Sequence, residues 1–255
     1  MRSQRYGSDL TDAQWQAIAP QLTGRRPTKH HTRHILDALL YLAKTGCQWR
    51  YLPDSFPPWQ TVYYHLRRWM GRDLLTGLVH HLRRLVRRNA GRNPSPSLAI
   101  IDSQSVKTSH VGGPRSFDGG KKVKGRKRHI LTDTLGLLLA VIVHPAGDND
   151  SQWSARLLDR VQGCAPRLEG VLADQGYAAV PTMLIWRLFG WLWKVVERDP
   201  AQKGFVVVKQ RWVVERTFAW FGGYRRLSKD YEARPAVSEA MVQLAAIRLM
   251  SRRLG

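Results

Sequence analysis

The chain has 255 residues, of which 43% are hydrophobic, and its formal net charge is +22 at pH 7. This composition excludes a disordered tail, and the longest uncharged apolar run, residues 135–143, is far too short to span a membrane. So large an excess of Lys and Arg predicts a polyanionic partner, and the composition as a whole favours nucleic acid over a membrane surface. Residues 1–11 are polar and predict no signal peptide. Cys47 and Cys164 lie outside any CxxC pair, which predicts reduced thiols in a cytoplasmic protein.

The N-terminal third predicts a small helical module, residues 1–89. Thr11 and Gln14 have the spacing of a capping box that starts a short helix. Apolar residues at helical spacing predict further helices, one ending at Gly46 and two more over 60–70 and 72–88. We expect this module to bind DNA, with 60–70 as the candidate reading helix of a helix-turn-helix relative. Six arginines are predicted on its outer faces: Arg67, Arg68, Arg83, Arg84, Arg87 and Arg88.

Residues 90–97 form a predicted linker, because Gly, Asn, Pro and Ser are concentrated there. After it the pattern changes from helical to strand spacing. Strands are predicted at 98–102, 129–132, 137–144, 170–174 and 191–196. Helices are predicted from residue 150 and at 180–189, 210–221 and 237–252. This order predicts an α/β domain over 98–255, with a mixed sheet flanked by helices.

Three acidic residues stand where chemistry is expected. Asp102 and Asp174 each end a buried apolar run and are followed by small polar residues, and Glu215 lies in an apolar run with helical spacing. Carboxylates of this kind are the ligands that two hard divalent cations require for phosphodiester chemistry. The alternative for a single strand-end Asp is a turn cap.

The remaining acids of this half are predicted to be structural. Asp133 falls in a hairpin turn, where a carboxylate is locally useful. Asp148 and Asp150 flank a helix start, so we expect capping there, by Asn149 or Asp150. Glu197 is predicted to lie in a surface loop.

Two basic features are candidate DNA contacts. The stretch 121–128 is predicted to be a loop that lays DNA across the carboxylates, although a solvated loop is the simpler alternative. Arg211 lies one helical turn before Glu215 and either pairs with it or holds a phosphate beside the metals. The basic residues of the stretch are Lys121, Lys122, Lys124, Arg126, Lys127 and Arg128.

Taken together, these residues resemble bacterial insertion-sequence transposases of the IS5 family, in the wider IS4-like group with an Asp-Asp-Glu site. The resemblance covers nearly the full length. Its segments are Leu10–Ile18, Trp49–Met70, Ile101–Thr108, 120–129, Asp133–Gly136, Ala173–Tyr177, Arg211–Trp220 and Tyr224–Leu227.

The resemblance implies an RNase H-like catalytic core, with Asp102, Asp174 and Glu215 as a triad that binds Mg²⁺ or, alternatively, Mn²⁺. It also implies an enzyme that cuts and joins the terminal inverted repeats of its own element. The implied partners are double-stranded DNA and further copies of the chain, as a homodimer or a higher oligomer. The expected location is the bacterial cytoplasm, at the nucleoid.

The family's C-terminal signature is a Tyr, an Arg, the Glu and then a Lys or Arg. Arg211 and Glu215 fit this signature, whereas Val208 stands at the Tyr position. Gly222 and Gly223 occupy the region of the last basic residue, for which Arg225 or Arg226 is the candidate substitute. Two alternatives therefore stay open: a metal-dependent nuclease on the same fold, and a catalytically dead DNA-binding regulator.

Overall fold

A computed structural model describes residues 5–22, 29–196 and 212–255. The chain forms two compact units. One contains residues 1–92, 221–228 and 240–255, and the other contains residues 93–220 and 229–239. The first unit is thus larger than the predicted helical module, because two C-terminal segments cluster with it. In the described part of the chain no helix is long and apolar enough to cross a membrane.

The first unit is helical, as predicted. Its helices bury stripes of leucine, including Leu39, Leu66 and Leu78, and each fully buried side chain of this kind contributes about 1.5–3 kcal/mol of hydrophobic free energy. The helices are α1 (Asp12–Leu22), α2 (Thr32–Thr45), α3 (Trp59–Met70), α4 (Leu74–Asn89) and, from Ala240 onward, α8 (Pro235–Ser251).

Local sequence signals explain two helix ends. The Thr11 hydroxyl accepts the Gln14 N–H at 3.2 Å, and the Gln14 side chain accepts the Thr11 N–H at 3.2 Å, so the predicted capping box is confirmed. Gly46 ends α2 with φ +70°, and its N–H donates to the Leu42 carbonyl at 2.9 Å. Only glycine adopts that left-handed conformation without strain, which is why the helix stops there.

The prediction that Arg83 and Arg87 lie on the outer face of α4 is wrong. Both side chains are buried, and the Arg83 guanidinium lies 3.0 Å from Nδ1 of buried His80. Residues 80, 83 and 87 form a second buried stripe beside the leucine stripe, so α4 is covered over a wider arc than its apolar residues indicate. Burial, with a contribution from Arg83, lowers the pKa of His80 to about 3, so its ring is neutral and Nδ1 can accept the bond.

The second unit is built on a six-stranded mixed sheet, which confirms the predicted α/β class. β6, β5 and β1 run parallel, and β3 pairs antiparallel with β1. β2 and β4 share the other edge of β3. The strands are β1 (Leu98–Lys107), β2 (Ser116–Asp118), β3 (Val123–Asp133), β4 (Leu138–Pro145), β5 (Gly170–Ala173) and β6 (Leu192–Val195).

Two helices flank one face of this sheet, α5 (Asp150–Asp159) and α6 (Thr182–Phe189). Alternate residues of the strands, such as Ile101 and Val171, belong to the same buried cluster as Leu157 of α5 and Ile185 of α6. A third helix, α7 (Trp212–Gly222), follows the last strand. The structure differs from the predicted strands in three respects. β1 continues to Lys107, so Asp102 lies within the strand and not at its end; β3 begins at Val123 rather than near residue 129; and β2 is an additional strand.

Candidate functional site

Asp102 on β1 and Asp174 just after β5 come from two adjacent parallel strands. The register pairs Ala99 with Val171 and Ile100 with Leu172, and each aspartate lies two residues beyond the second of these pairs. Neighbouring strands are about 4.8 Å apart, so both carboxylates originate from one short stretch of the sheet. β5 ends one residue before Asp174, which begins a turn of 3₁₀-helix and accepts the Gly176 N–H at 3.0 Å.

The pKa of buried Tyr177 is sensitive to the negative charges in this region. Burial raises its pKa well above the usual value, and the negative charges of Asp150, Asp102 and Asp174, in that order, raise it further. A phenol is harder to ionise near carboxylates, because they repel its anion. Both predicted catalytic aspartates therefore act electrostatically on the same buried tyrosine.

Glu215 stands on a different element, in the first turn of α7, where it is exposed while Val213 and Val214 are buried. Its helix packs on the turn between β3 and β4, since the Thr217 hydroxyl donates to the Gly136 carbonyl at 2.9 Å. Gly136 has φ +79°, and a Cβ there would lie 2.7 Å from the Thr217 hydroxyl, so only glycine permits this approach.

The turn itself is held as predicted. The Asp133 carboxylate accepts the N–H groups of Leu135 and Leu137, each at 2.9 Å, so its predicted structural role is confirmed. The Arg216 guanidinium also reaches the turn, donating to the Leu135 carbonyl at 3.3 Å. These bonds fix α7 to the hairpin from the side opposite its exposed residues.

The three predicted ligands are not assembled into one cluster. Among residues 5–22, 29–196 and 212–255, no group of three or more His, Cys, Asp or Glu side chains is arranged to hold a metal ion. Asp102 and Asp174 follow adjacent parallel strands, whereas Glu215 lies on α7. Arg211, Val208 and Glu197 lie outside the described residues.

The basic stretch 121–128 is not a loop throughout. Lys121, Lys122 and Lys124 are exposed, and their contact with DNA stays a prediction. From Val123 onward the backbone belongs to β3, which is paired on both edges. The structure therefore corrects the prediction for Arg126, Lys127 and Arg128, which are buried.

Arg126 shows why these cations tolerate burial. Its side chain is 0% exposed, lies 3.2 Å from the Asp230 carboxylate, and donates to the carbonyls of Pro114, Glu232 and Ala233 at 2.8, 2.7 and 2.9 Å. A fully buried guanidinium whose three nitrogens each donate to the protein is not available to a DNA phosphate. Arg128 is similar: it donates to the Lys229 carbonyl at 3.0 Å, and burial lowers its pKa to about 10.

Lys127 belongs to a polar cluster that the sequence did not reveal. Its ammonium lies 2.6 Å from the Asp150 carboxylate, whose other oxygen accepts the Ser103 hydroxyl at 2.8 Å. Burial raises the pKa of Asp150, but the interactions with His129, Lys127 and Ser103 outweigh it and hold that pKa well below its usual range. Asp150 is therefore an anion that faces the sheet.

The predicted capping role of Asp150 is thus wrong. Asn149 occupies the cap position of α5, and its side chain makes no capping bond within the described residues. The available signal was the alternation of small polar residues along β1. Ser103 pairs with His129 and Ser105 with Lys127, so all four share one face of the sheet.

Of the two C-terminal arginines, only Arg225 is exposed. Arg226 is buried and donates to the Cys47 carbonyl at 3.1 Å within the helical unit. The prediction that either could replace the last basic residue of the family signature is therefore corrected for Arg226, whose guanidinium has an internal partner.

Comparison with known proteins gives the family. Residues 10–79 match the family described as "Putative transposase of IS4/5 family", and residues 93–250 match "Transposase DDE domain". A Burkholderia cepacia protein named "Putative transposase for insertion sequence element IS402" is 30% identical over 200 residues, which cover 69% of this chain and 91% of that protein. "Uncharacterized protein y4sN" of Sinorhizobium fredii is 31% identical over 117 residues, covering 44% of this chain and 87% of that protein.

The match to the DDE domain spans the whole sheet and confirms that the mixed sheet with its flanking helices is an RNase H-like fold. The same match assigns the chain to enzymes that act on nucleic acid. The chain belongs to the IS4/5 family of DDE transposases.

Proposed function

We propose that this transposase binds the terminal inverted repeats of its insertion sequence, cleaves the DNA ends and transfers the strands to target DNA. The observation that carries the proposal is the register of β1 and β5, since Asp102 and Asp174 each lie two residues beyond the pair Ile100–Leu172. Carboxylate oxygens on neighbouring strands are the donors that Mg²⁺ and Mn²⁺ prefer. The proposed site of action is double-stranded DNA in the bacterial cytoplasm.

We propose the carboxylates of Asp102 and Asp174 as ligands of a divalent cation, because such ions prefer carboxylate oxygens, and Glu215 as the third ligand. When bound, divalent ions stabilise the charge that develops on the attacking and leaving oxygens. The proposal requires the exposed Glu215 side chain to reach the aspartates in the complex with metal and DNA. The protein's own contribution is to hold the aspartates level and to orient the DNA against them.

Lys121 is well suited to contact DNA near the aspartates. Its ammonium donates to the Ser103 carbonyl at 2.8 Å, and Ser103 directly follows Asp102. Lys122 and Lys124 are also exposed. In our proposal these three lysines neutralise phosphates of the DNA that crosses the acidic region, which supports affinity without reading sequence.

In the helical unit, α3 is the proposed reader of the terminal repeats. A groove of about 680 Å³ runs along this helix, and Tyr64 in it is 61% exposed. Exposed Arg67 and Arg68 supply positive charge beside the tyrosine rings. Gln and Arg side chains on one helix suit base edges in a major groove. The groove is lined by Trp59, Gln60, Tyr63, Tyr64, Arg67 and Arg68.

Strand transfer joins two ends of one element to a target, so both ends must meet in one protein–DNA complex. We therefore include a homodimer or a higher oligomer on DNA in the proposed function. Size-exclusion chromatography with light scattering, with and without repeat DNA, measures this directly. An oligomer that forms only with DNA is the expected result.

One observation favours a second candidate, a DNA-binding regulator without catalysis. In the part of the chain that the structure describes, no three His, Cys, Asp or Glu side chains are arranged to hold a metal ion. In that case the helical unit would bind the repeats, and the acids would leave DNA intact. An assay of metal-dependent DNA cleavage distinguishes the two candidates, because the transposase should cut the DNA and the regulator should not.

The first experiment is to sequence the DNA that flanks the gene and to test whether the protein binds it. Imperfect inverted repeats within a short target duplication, bound in preference to shuffled DNA of the same composition, would support the proposal. Unique flanking sequence, or equal affinity for repeat and shuffled DNA, would contradict it. The matched variant is the double substitution Arg67→Ala and Arg68→Ala. It should reduce the preference for repeat DNA over shuffled DNA without unfolding the protein, since both side chains are exposed.

A further inference from the structure

The Asp150 carboxylate lies between the two chain segments that carry the predicted metal ligands. One oxygen accepts the hydroxyl of Ser103, the residue after Asp102, at 2.8 Å. The same oxygen lies 3.5 Å from the position that a Cβ would take at Gly176, in the turn that begins at Asp174. Asp150 is thus packed against the neighbours of both aspartates.

A second route connects Asp150 to the turn after Asp174. Tyr177 is the last residue of that turn, and its hydroxyl lies 3.0 Å from Nδ1 of His129. The other ring nitrogen, Nε2, lies 3.5 Å from the Asp150 carboxylate. Burial lowers the pKa of His129, so its ring is neutral, and Nδ1 can accept from the tyrosine while Nε2–H faces the carboxylate.

Lys127 holds Asp150 in place on its other side. The ammonium lies 2.6 Å from the carboxylate and donates also to the Asp148 carbonyl at 3.0 Å. It lies 3.8 Å from Asp118, whose carboxylate accepts the N–H groups of Gly120 and Lys121, each at 3.0 Å. The buried ion pair therefore ties α5 to β3 and to the start of the exposed lysine segment.

Both oxygens of Asp150 are already used, one by Lys127 and one by Ser103. These bonds give Asp150 the contacts of an indirect role, since groups that orient metal ligands commonly do so through such hydrogen bonds. The segments that Asp150 contacts are the ones that must stay level if two aspartates are to share a site.

We propose that Asp150 is a positioning residue of the metal site, which keeps Asp102 and Asp174 level through Ser103 on one side and through His129 and Tyr177 on the other. This inference rests on the proposed function, because it takes the two aspartates as metal ligands. Lys127 supports it by holding the carboxylate charged and oriented. The side chain touches neither metal nor DNA in this role.

The test measures Mn²⁺ affinity of the full-length protein by titration calorimetry, together with thermal unfolding. We expect Asp150→Asn to raise the Mn²⁺ dissociation constant about tenfold or more, within the range seen when a group behind a metal ligand is removed. Ser103→Ala keeps the Lys127–Asp150 pair and should weaken Mn²⁺ binding in the same direction. The matched control is Asp159→Asn, an exposed acid on the same helix, which should leave the affinity unchanged.

A weakening below about threefold in folded Asp150→Asn would overturn the inference. If Asp150→Asn does not fold, Ser103→Ala decides by the same threshold. Asp102→Asn separates this failure from failure of the proposed function. Mn²⁺ binding that is lost in Asp102→Asn but intact in Asp150→Asn removes only the positioning role, whereas binding unchanged in Asp102→Asn removes the metal pair and the inference with it.

Discussion

Asp102 and Asp174 each lie two residues beyond the paired residues Ile100 and Leu172, on adjacent parallel strands or directly after them. In our proposal, this relationship concentrates negative charge at the place where DNA is cut. The nearby exposed lysines then have a role in that proposal, because a polyanion approaches two carboxylates only if cations and metal ions offset the repulsion.

Glu215→Gln should abolish metal-dependent cleavage and leave stability almost unchanged. Loss of a metal ligand should lower activity by more than the ~10–100-fold expected for loss of a group that supports a ligand. An exposed acid in the first turn of a helix, in contrast, contributes only about 0.3–1 kcal/mol to the free energy of folding. Cleavage rates and thermal unfolding check the two halves of this prediction. Glu169→Gln, another exposed acid, is the control, and wild-type rates in Glu215→Gln would exclude Glu215 as a ligand.

Replacing Lys121, Lys122 and Lys124 together by Ala should weaken binding to all DNA sequences alike. Loss of three phosphate contacts lowers the slope of log affinity against log salt by about 2.7. Fluorescence anisotropy at several salt concentrations measures that slope. Lys107→Ala, at the end of β1, serves as an exposed control. An unchanged slope in the triple variant would remove this segment from the DNA path.

Arg126→Ala should destabilise the fold rather than act on DNA binding directly. The Asp230 carboxylate, itself fully buried, would lose its partner at 3.2 Å, and breaking a buried pair costs about 3–5 kcal/mol. Urea unfolding monitored by tryptophan fluorescence measures the change. Lys124→Ala, exposed on the same strand, should stay within about 0.5 kcal/mol of the wild type. If Arg126→Ala unfolds like the wild type but loses DNA affinity, the assignment of Arg126 to the interior is wrong.

Stability should fall as the pH falls from about 6.5 towards 3, in part because of His80. Burial, and then Arg83, lowers its pKa in the folded state to about 3 from a usual value of 6.5. Between these values the unfolded chain binds a proton that the folded chain does not, so acid favours unfolding by up to about 1.4 kcal/mol per pH unit. The contribution is fully present above pH 6.5.

His80→Gln should therefore flatten the dependence of the unfolding free energy on pH, because the amide oxygen can still accept from Arg83 but does not titrate. Urea unfolding at pH 7 and pH 5 compares the two proteins. His110→Gln, at an exposed position, should keep the wild-type dependence. Equal dependence in His80→Gln and the wild type would mean that His80 is not buried in neutral form.

Much of the fold could be predicted from local sequence. The Thr11–Gln14 cap, the glycine that ends α2, and the apolar runs that lead to Asp102 and Asp174 all depend on residues close together in the chain. Such local patterns predict the structure correctly because the tertiary contacts agree with the local conformational preferences.

The basic strand could not be predicted in the same way. Lys and Arg are rarely buried, so 121–128 indicated a loop. Arg126 can be buried because the carbonyls of residues 114, 232 and 233 accept its hydrogen bonds. These residues are distant from Arg126 in the sequence, so the local pattern does not indicate them. Asp150 was missed for the same reason, since its partners Ser103 and Lys127 come from two earlier strands.

The measurement that tests the account most directly is cleavage of DNA carrying the element's own ends, in Mg²⁺, by the wild type and by Asp102→Asn and Asp174→Asn. We predict that the wild type cuts at the element ends and needs the divalent ion. Both variants should bind the same DNA with affinity close to the wild type and leave it intact. Cleavage by either variant, or a wild type that binds the ends but never cuts them, would contradict the assignment of these two aspartates to a metal-dependent transposase site.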